Sequence, residues 1–191
     1  MENKSLIKKM TQLEQEKWQD YQIAFNYLSD HYYDVNVGHS ENEIQVVFAK
    51  KPFSVPYEKM PNDNTNFNLF QRWWDEVEAW GIINEGKLIA VIETSVEGYS
   101  NRLRVTTLWV DDTYQRQGIA QALMDKAVER ARHEKRRAII LETQSCNERA
   151  ISFYLNYGFS LIGFDVCAYQ NDDISRQEVR MEMGLFLDVD E

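Results

Sequence analysis

The sequence predicts an α+β domain in which helices flank a mixed, centrally placed β-sheet. Three observations predict this fold class. Short strand-like segments separated by turns occupy the middle of the chain, a long amphipathic helix follows them, and a further strand and helix precede two final strands. With 191 residues, 43% of them hydrophobic and only three prolines, the chain is long and apolar enough for one domain with its own core.

The first 40 residues are interpreted as an N-terminal helical extension, and residues 41–191 as the single globular domain. Between residues 5 and 33, large hydrophobic residues recur among charged ones at mixed spacings that favour a helix. Polar residues 36–40 interrupt this pattern, so we expect the helical part to end before them.

Three predictions concern the segment that leads into the sheet. Residues 44–49 are apolar and partly β-branched, which predicts a short strand. Residues 51–68 contain all three prolines and several asparagines, which is typical of a loop. Residues 67–77 fit either a helix or a strand. We expect Trp73 and Trp74 to belong to the core, although their acidic neighbours would also suit them to hold a cation.

The sheet is predicted to begin as an antiparallel meander. Hydrophobic residues alternate along residues 80–84, 87–96 and 103–110, which predicts three strands. The turns between them, at 85–86 and 98–101, both contain glycine.

Two helices are predicted to follow the meander. The first, at 118–134, has hydrophobic residues at intervals of four, namely Ile119, Leu123, Ala127 and Ala131. A strand at 137–143 separates it from the second helix, at 147–157, which Gly158 is suited to end.

The remaining predictions complete the domain. Two strands are expected at 160–169 and 178–187, joined by the polar loop 170–177. The helix before them is predicted to begin with a capping box formed by Ser145 and Glu148.

The turn between the meander and the first of these helices is a candidate anion site. Free N–H groups converge at the start of a helix, where the dipole adds about half a positive charge. Gly118 and Ala120 have almost no side chain, so the backbone can approach a phosphate or pyrophosphate closely. The sequence contains neither the P-loop pattern nor the glycine-rich dinucleotide fingerprint, which excludes those two kinds of phosphate loop.

Two motifs carry a family resemblance. The pattern Gln-x-x-Gly-x-Ala at residues 115–120 resembles the acyl-coenzyme A pyrophosphate loop of the GCN5-related N-acetyltransferases, the GNAT family. Residues 147–159 read Asn-x-x-Ala-x-x-Phe-Tyr-x-x-x-Gly-Phe, which is similar to the family's pattern after its fifth strand. Within the family the resemblance is closest to streptothricin acetyltransferases, which share Leu-Glu-Thr-Gln (here 141–144) and Gly-Phe-x-x-x-Gly-x-Asp (here 158–165). The likeness runs from about Ala79 to Leu187.

The resemblance implies an acyl-CoA N-acyltransferase fold with acetyl-coenzyme A as co-substrate. It also implies that the strand before the loop splays from its parallel neighbour and leaves a slot for the pantetheine arm, with one backbone N–H polarising the acyl carbonyl. The implied cofactor-binding residues are Leu108, Trp109, Val110, Gln115, Arg116, Gln117, Gly118, Ile119, Ala120, Gln121 and Asn147. Asn147 also fits a second interpretation, as an ordinary polar residue of the first helical turn. Arg116 stands where many relatives carry glycine, so a left-handed backbone there would be costly.

Two catalytic groups are predicted. The resemblance implies Tyr154 as the general acid for the leaving thiolate, because a phenol with the ordinary pKa near 10 is protonated at neutral pH. The acceptor amine must lose a proton, since a lysine-like amine with a pKa of about 10.4 is almost wholly protonated at pH 7. Glu142 is the first candidate for the general base. Glu93, Asp111 and Asp112 are alternatives, and no spacing argument selects among them.

Charge and composition limit the partners. The formal net charge of −10 opposes nucleic acid and favours a cationic substrate. We therefore expect an acetyl-coenzyme A-dependent N-acetyltransferase acting on a primary amine of a small cationic molecule, with a streptothricin-type antibiotic as the first candidate. The alternatives are a protein or peptide amine as acceptor, and a coenzyme A-binding sensor module without turnover.

The remaining expectations concern setting and assembly. No apolar run is long enough for a membrane span, and no Cys/His spacing fits a metal site. Cys146 and Cys167 are expected to be reduced and mostly buried. A soluble cytoplasmic protein follows as an expectation, and a homodimer is a further one because many relatives dimerise.

Overall fold

A computed structural model describes residues 2–59 and 67–188. The predicted fold class is confirmed: an α+β fold with a central, mostly antiparallel sheet flanked by helices. In chain order the elements are α1 (Glu2–Ile7), β1 (Met10–Gln12), α2 (Gln15–Trp18), β2 (Tyr27–His39), β3 (Ile44–Lys59), β4 (Glu78–Asn84), β5 (Lys87–Glu97), β6 (Arg102–Val110), α3 (Ile119–His133), β7 (Ala138–Gln144), α4 (Glu148–Tyr157), β8 (Ser160–Asp165) and β9 (Arg180–Phe186). No helix in the described ranges is long and apolar enough to cross a membrane.

The chain divides into two compact units. The described residues of the first unit are 2–25, 67–141 and 185–188, and those of the second are 26–59 and 142–184. Strand β7 passes from the first unit into the second.

The first unit is built on the predicted meander. Its strands lie in the order β1-β4-β5-β6-β7, with β4, β5 and β6 antiparallel and β7 parallel to β6. Every residue from Leu88 to Val96 on β5 is buried, which agrees with the apolar run 88–92 at the start of that strand and also places Glu93 in the interior. The three predicted strands are confirmed, each to within about two residues.

Helix α3 contributes the expected apolar stripe to this unit. Its four predicted core residues are at most 2% exposed: Ile119, Leu123, Ala127 and Ala131. The fourfold spacing places them on one side of the helix, so their burial confirms the interpretation of 118–134 as amphipathic.

The second unit contains the hairpin of β2 and β3, helix α4, and the strand order β7-β9-β8. Helix α4 ends as predicted at Gly158, where φ is +114° and the N–H donates to the carbonyls of Tyr154 and Leu155. Strands were predicted at 160–169 and 178–187. β8 and β9 are shorter, because residues 166–177 form turns.

The predicted N-terminal helical extension is wrong over most of its length. Only Glu2–Ile7 and Gln15–Trp18 are helical, and Tyr27–His39 is a strand paired with Ile44–Lys59. The mixed hydrophobic spacing of this segment is compatible with either a helix or a strand. The strand forms because it pairs with β3, and local spacing does not reveal that partner. Residue 40, the predicted domain boundary, lies in the turn of this hairpin, and the division at that position stays a prediction.

The loop predicted at 51–68 is also wrong in part, since β3 continues to Lys59. Pro52 and Pro56 are tolerated because a two-stranded ribbon consists of edge strands only. The register also jumps, from Ser29 opposite Tyr57 to His31 opposite Pro52, which leaves several β3 residues outside regular pairing. Residues 60–66 lie outside the described residues.

Residues 67–77 form neither a helix nor a regular strand, apart from an isolated bridge at Asn68. Trp73 is 69% exposed, so its assignment to the core is wrong. Trp74 is partly buried, whereas Phe70 on the same segment is only 2% exposed. The aromatic side chain that joins the core is therefore a different one.

Candidate active site

The loop between β6 and α3 is held by its own side chains. The Asp111 carboxylate accepts from the N–H and the hydroxyl of Thr113, at 3.1 and 2.6 Å, and from Lys87 Nζ at 2.8 Å. Gln115 donates from its side-chain amide to the Val110 carbonyl at 3.1 Å. These contacts fix the turn without using the N–H groups that follow it.

Two left-handed residues shape the end of this loop. Gly118, the N-cap of α3, has φ +79°, and a Cβ built on it would meet no atom within 4 Å. Arg116 has φ +61°, so the conformation expected to be costly for a side-chain-bearing residue is the one it adopts. Glycine is favoured at 118 by the backbone conformation and not by crowding.

The start of α3 is the place where the sequence predicted an anion site on chemical grounds. The first N–H to bond into the helix is that of Ala122, which donates to the Gly118 carbonyl at 3.1 Å. Within the described residues, the N–H groups of 116–121 donate to no protein oxygen. These donors and the helix dipole together suit a pyrophosphate.

The strand before the loop leaves its parallel neighbour early. Pairing of β6 with β7 covers Arg102–Val105 and Ala138–Leu141 in the described chain. Among the described strands, the three residues predicted to hold the pantetheine arm, Leu108, Trp109 and Val110, pair with β5 alone. Their other backbone edge is therefore not used by the β6–β7 ladder, as the splayed geometry requires.

Tyr154 lies in the second unit, on the buried side of α4. It is 8% exposed, and its ring contacts Phe153 and Phe159 with centroid separations of 5.5 and 5.7 Å. Its hydroxyl makes no hydrogen bond to another described residue, and burial raises the pKa of the phenol. A raised pKa keeps Tyr154 protonated at neutral pH, which is the state that a proton donor needs.

Asn147 caps the same helix, and its side-chain oxygen accepts from the Ala150 N–H at 3.2 Å. The predicted capping box of Ser145 and Glu148 is wrong. Ser145 instead donates to the Gln177 carbonyl at 2.9 Å, and Glu148 is engaged in an ion pair. The Asn147 side chain performs the capping that the Ser-Glu spacing had suggested for its neighbours.

Glu142 lies exposed on β7, in the second unit. Its carboxylate accepts from the Tyr169 hydroxyl at 2.7 Å and forms an ion pair with Arg180 at 3.1 Å. The sequence singled out neither partner, since both are distant along the chain. The assignment of Glu142 as general base stays a prediction.

A buried polar cluster that sequence reasoning missed adjoins Asn147. The Tyr27 hydroxyl lies 2.7 Å from Gln144 Oε1 and 3.2 Å from Cys146 Sγ. Gln144 in turn donates to the buried Glu178 carboxylate, which is paired with Lys59 at 2.6 Å. Tyr27 and Cys146 are 119 residues apart, so no local pattern signals this contact.

The two cysteines differ in environment. Both are free, but Cys146 is fully buried and Cys167 is exposed, so the prediction that both are mostly buried is wrong for Cys167. Burial raises the pKa of the Cys146 thiol to about 11, which keeps it protonated and unreactive at neutral pH.

The glycine at the start of α3 and the early end of the β6–β7 pairing agree with the acyl-coenzyme A N-acyltransferase fold that the resemblance implied. Residues 46–159, more than half of the chain, match the model of the family described as "Acetyltransferase (GNAT) family", and the chain belongs to that family. It is accordingly an N-acetyltransferase that uses acetyl-coenzyme A. The family resemblance drawn from the two motifs is confirmed.

Three proteins of known identity or structure resemble this chain. Streptothricin acetyltransferase A of Bacillus subtilis (strain 168) is 26% identical over 136 residues, which cover 65% of this chain and 70% of that protein. The crystal structure of nourseothricin acetyltransferase superposes with a TM-score of 0.70 at 21% identity, over 93% of this chain and 98% of that one. The structure of a candidate streptothricin acetyltransferase from Bacillus anthracis str. Ames, solved with acetyl coenzyme A, superposes with a TM-score of 0.70 at 19% identity. The match again covers 93% of this chain and 98% of that one. At these identities the two structures establish likeness of fold alone.

Proposed function

We propose that this chain transfers the acetyl group of acetyl-coenzyme A to a primary amine of a small cationic molecule of the streptothricin type. The observation that carries the acceptor class is the extent of the likeness. Two antibiotic acetyltransferase structures, one of them assigned as a candidate, share the fold over 93% of this chain. The formal net charge of −10 supports a cationic acceptor, because it attracts the substrate from solution.

The proposed cofactor contacts are those that the family resemblance implied. The N–H groups of residues 116–121 and the Arg116 side chain hold the pyrophosphate, and the open edge of residues 108–110 holds the pantetheine arm. One N–H of that edge polarises the thioester carbonyl as negative charge develops on its oxygen. Because the Asn147 oxygen already caps α4, its amide nitrogen is the atom that would donate to the cofactor arm.

The proposed reaction forms an amide bond and breaks a thioester bond. The lone pair of the neutral amine attacks the acyl carbon, and the nitrogen gives up one proton to a base. Collapse of the tetrahedral intermediate then expels the coenzyme A thiolate. Tyr154 gives that thiolate its phenolic proton and is reprotonated from solvent. Its hydroxyl supports this role, since it is protonated and bonds to no other described residue that would compete for the proton.

Thiol release from acetyl-coenzyme A tests the proposal against a panel of streptothricin, spermidine and lysine peptides. Release selective for streptothricin is the expected result. Tyr154→Phe is expected to lower kcat by about a hundredfold or more while the KM for acetyl-coenzyme A changes little. Tyr99→Phe is the matched control, because Tyr99 is 90% exposed and should tolerate the change.

Two outcomes would replace the proposal. Faster release with lysine peptides than with streptothricin would support the protein or peptide acceptor. Tight acetyl-coenzyme A binding with no release on any amine, and no effect of Tyr154→Phe on that binding, would support the sensor module.

A further inference from the structure

A buried carboxylate without a cation lies in the centre of the first unit. Glu93 on β5 is 1% exposed, and its two oxygens accept from the Phe70 N–H at 2.6 Å and from the Thr106 hydroxyl at 2.7 Å. Burial raises its pKa, and the two hydrogen bonds only partly offset that effect. Glu93 is therefore a carboxylate that takes up a proton more readily than an exposed glutamate does.

No charged group neutralises Glu93 within the described chain. Its cross-strand partners are Ala79 on β4 and Thr107 on β6. Arg130 on α3 donates to the carbonyl and the hydroxyl of the neighbouring Thr94. A buried carboxylate held only by neutral donors contributes little to stability, so its presence calls for another explanation.

Thr106 links this carboxylate to the open end of β6. Glu93 pairs with Thr107 and Thr94 pairs with Val105, so Thr106 is the extra residue of a β-bulge. Val105 is also the last β6 residue paired with β7. Thr106 is thus the first residue past that pairing, two positions before Leu108, and it is half-buried while both its neighbours are buried.

We propose that Thr106 and Glu93 form the relay that removes the proton from the acceptor amine. This inference rests on the proposed function. As the amine lone pair forms the new C–N bond, an N–H bond breaks and its proton passes to Thr106 Oγ1. The Thr106 hydroxyl proton passes to Glu93 Oε1, which becomes a neutral carboxylic acid. The leaving thiolate takes its proton from Tyr154, so one proton enters the relay and one leaves the phenol.

The bulge explains why a hydroxyl mediates the transfer. Glu93 is too deeply buried to meet a cationic amine without a large desolvation penalty. Thr106 is half-buried, so its hydroxyl is more accessible than the Glu93 carboxylate. The hydroxyl also donates to the Glu93 carbonyl at 3.2 Å, and this second contact holds the side chain in place. The Glu93 carboxylate, which accepts the proton, thus stays shielded from water, while the Thr106 hydroxyl, which passes the proton on, stays accessible.

The test is the pH dependence of kcat/KM for streptothricin in the wild type and in Glu93→Gln, Thr106→Val and Thr106→Ser. The first two changes are expected to lower kcat by about a hundredfold or more, with the acetyl-coenzyme A KM unchanged. They should also remove the rise in rate that accompanies Glu93 ionisation. Thr106→Ser keeps the hydroxyl and should stay within about tenfold of the wild type. The double variant Glu93→Gln/Thr106→Val should be no slower than either single one, because both changes break the same relay.

Thr106→Val decides the question if Glu93→Gln does not fold, because it removes only a half-exposed hydroxyl. A Thr106→Val enzyme with wild-type rate and pH profile would overturn the relay. So would loss of the pH-dependent rise in Glu142→Gln together with its retention in Glu93→Gln, which would favour Glu142 as the base. A wild-type protein that acetylates no amine of the panel refutes the proposed function instead, so the two failures are distinguishable.

Discussion

Gly118 offers the sharpest test of the cofactor loop, because strain and ligand contact can be separated there. Its φ of +79° costs a residue with a side chain about 1–2 kcal/mol, while the open space around its Cβ position adds no clash. Gly118→Ala should therefore lower the free energy of unfolding by that amount, or the Tm by roughly 2–8 °C for a chain of this length. Gly86→Ala is the matched control, since Gly86 has φ +78° and is equally uncrowded. It should lose the same stability and keep its affinity for acetyl-coenzyme A.

Charge at the same position tests the pyrophosphate directly. Gly118→Glu places a carboxylate among the free N–H groups of residues 116–121, where a unit charge about 4 Å from another experiences up to about 4 kcal/mol at an effective dielectric constant of 20. Isothermal titration calorimetry should show a Kd for acetyl-coenzyme A raised at least a hundredfold relative to the isosteric Gly118→Gln, with the gap narrowing at high salt. Equal affinities for the two variants would refute the assignment of the loop.

The other predictions concern the loop, the thiols and an ion-pair cluster. Arg116→Gly should raise the free energy of unfolding by up to about 1 kcal/mol by relieving φ +61°, yet weaken acetyl-coenzyme A binding several-fold by removing a cation; unchanged affinity in calorimetry would exclude a role for the guanidinium. A neutral-pH thiol reagent should modify Cys167 in the native protein and Cys146 only after denaturation, as peptide mapping would show; rapid labelling of both would contradict the burial. Burial opposes ionisation of Glu97, but hydrogen bonds from its two arginines outweigh that effect and lower its pKa. The ionised Glu97 carboxylate therefore stabilises the fold fully at pH values above its ordinary pKa of 4.5. This stabilisation is lost as the pH falls through the lower pKa of the folded state. In urea unfolding, Glu97→Gln should lower the free energy of unfolding by about 1–3 kcal/mol at pH 7 and by much less near pH 3. An equal decrease at both pH values would show that the stabilisation does not depend on ionisation of Glu97.

The elements with strong local signals were predictable. α3 carries a stripe at every fourth residue, and α4 ends at a glycine with φ +114°, so each helix is specified within a few turns of chain. The β2–β3 hairpin was not predictable, because its strands were read separately and its prolines suggested a loop. What stabilises β2 is pairing with a partner that begins after the turn at residue 40, and that pairing overrides local spacing.

The residues of the candidate site also fall into those that the sequence could locate and those that it could not. Gly118 and Tyr154 belong to contiguous motifs whose spacing is set by one loop or one helix, so the sequence alone could locate them. The proposed acceptor of the amine proton has no such motif. Glu93 was only one of four acidic residues, and nothing in the chain indicated that Thr106 would be expelled from the strand pairing to face it.

The bulge at Thr106 connects fold and chemistry in the first unit. An extra residue in β6 bends the strand, and the parallel pairing with β7 stops at Val105, immediately before it. The same distortion leaves residues 108–110 with one unpaired backbone edge and turns a hydroxyl toward Glu93. Removing the Thr106 hydroxyl should leave this backbone geometry in place, because the bulge is set by register and not by that hydrogen bond. Acetyl-coenzyme A affinity should then survive in Thr106→Val while proton removal fails, and a parallel loss of both would mean that the hydroxyl holds the slot open instead.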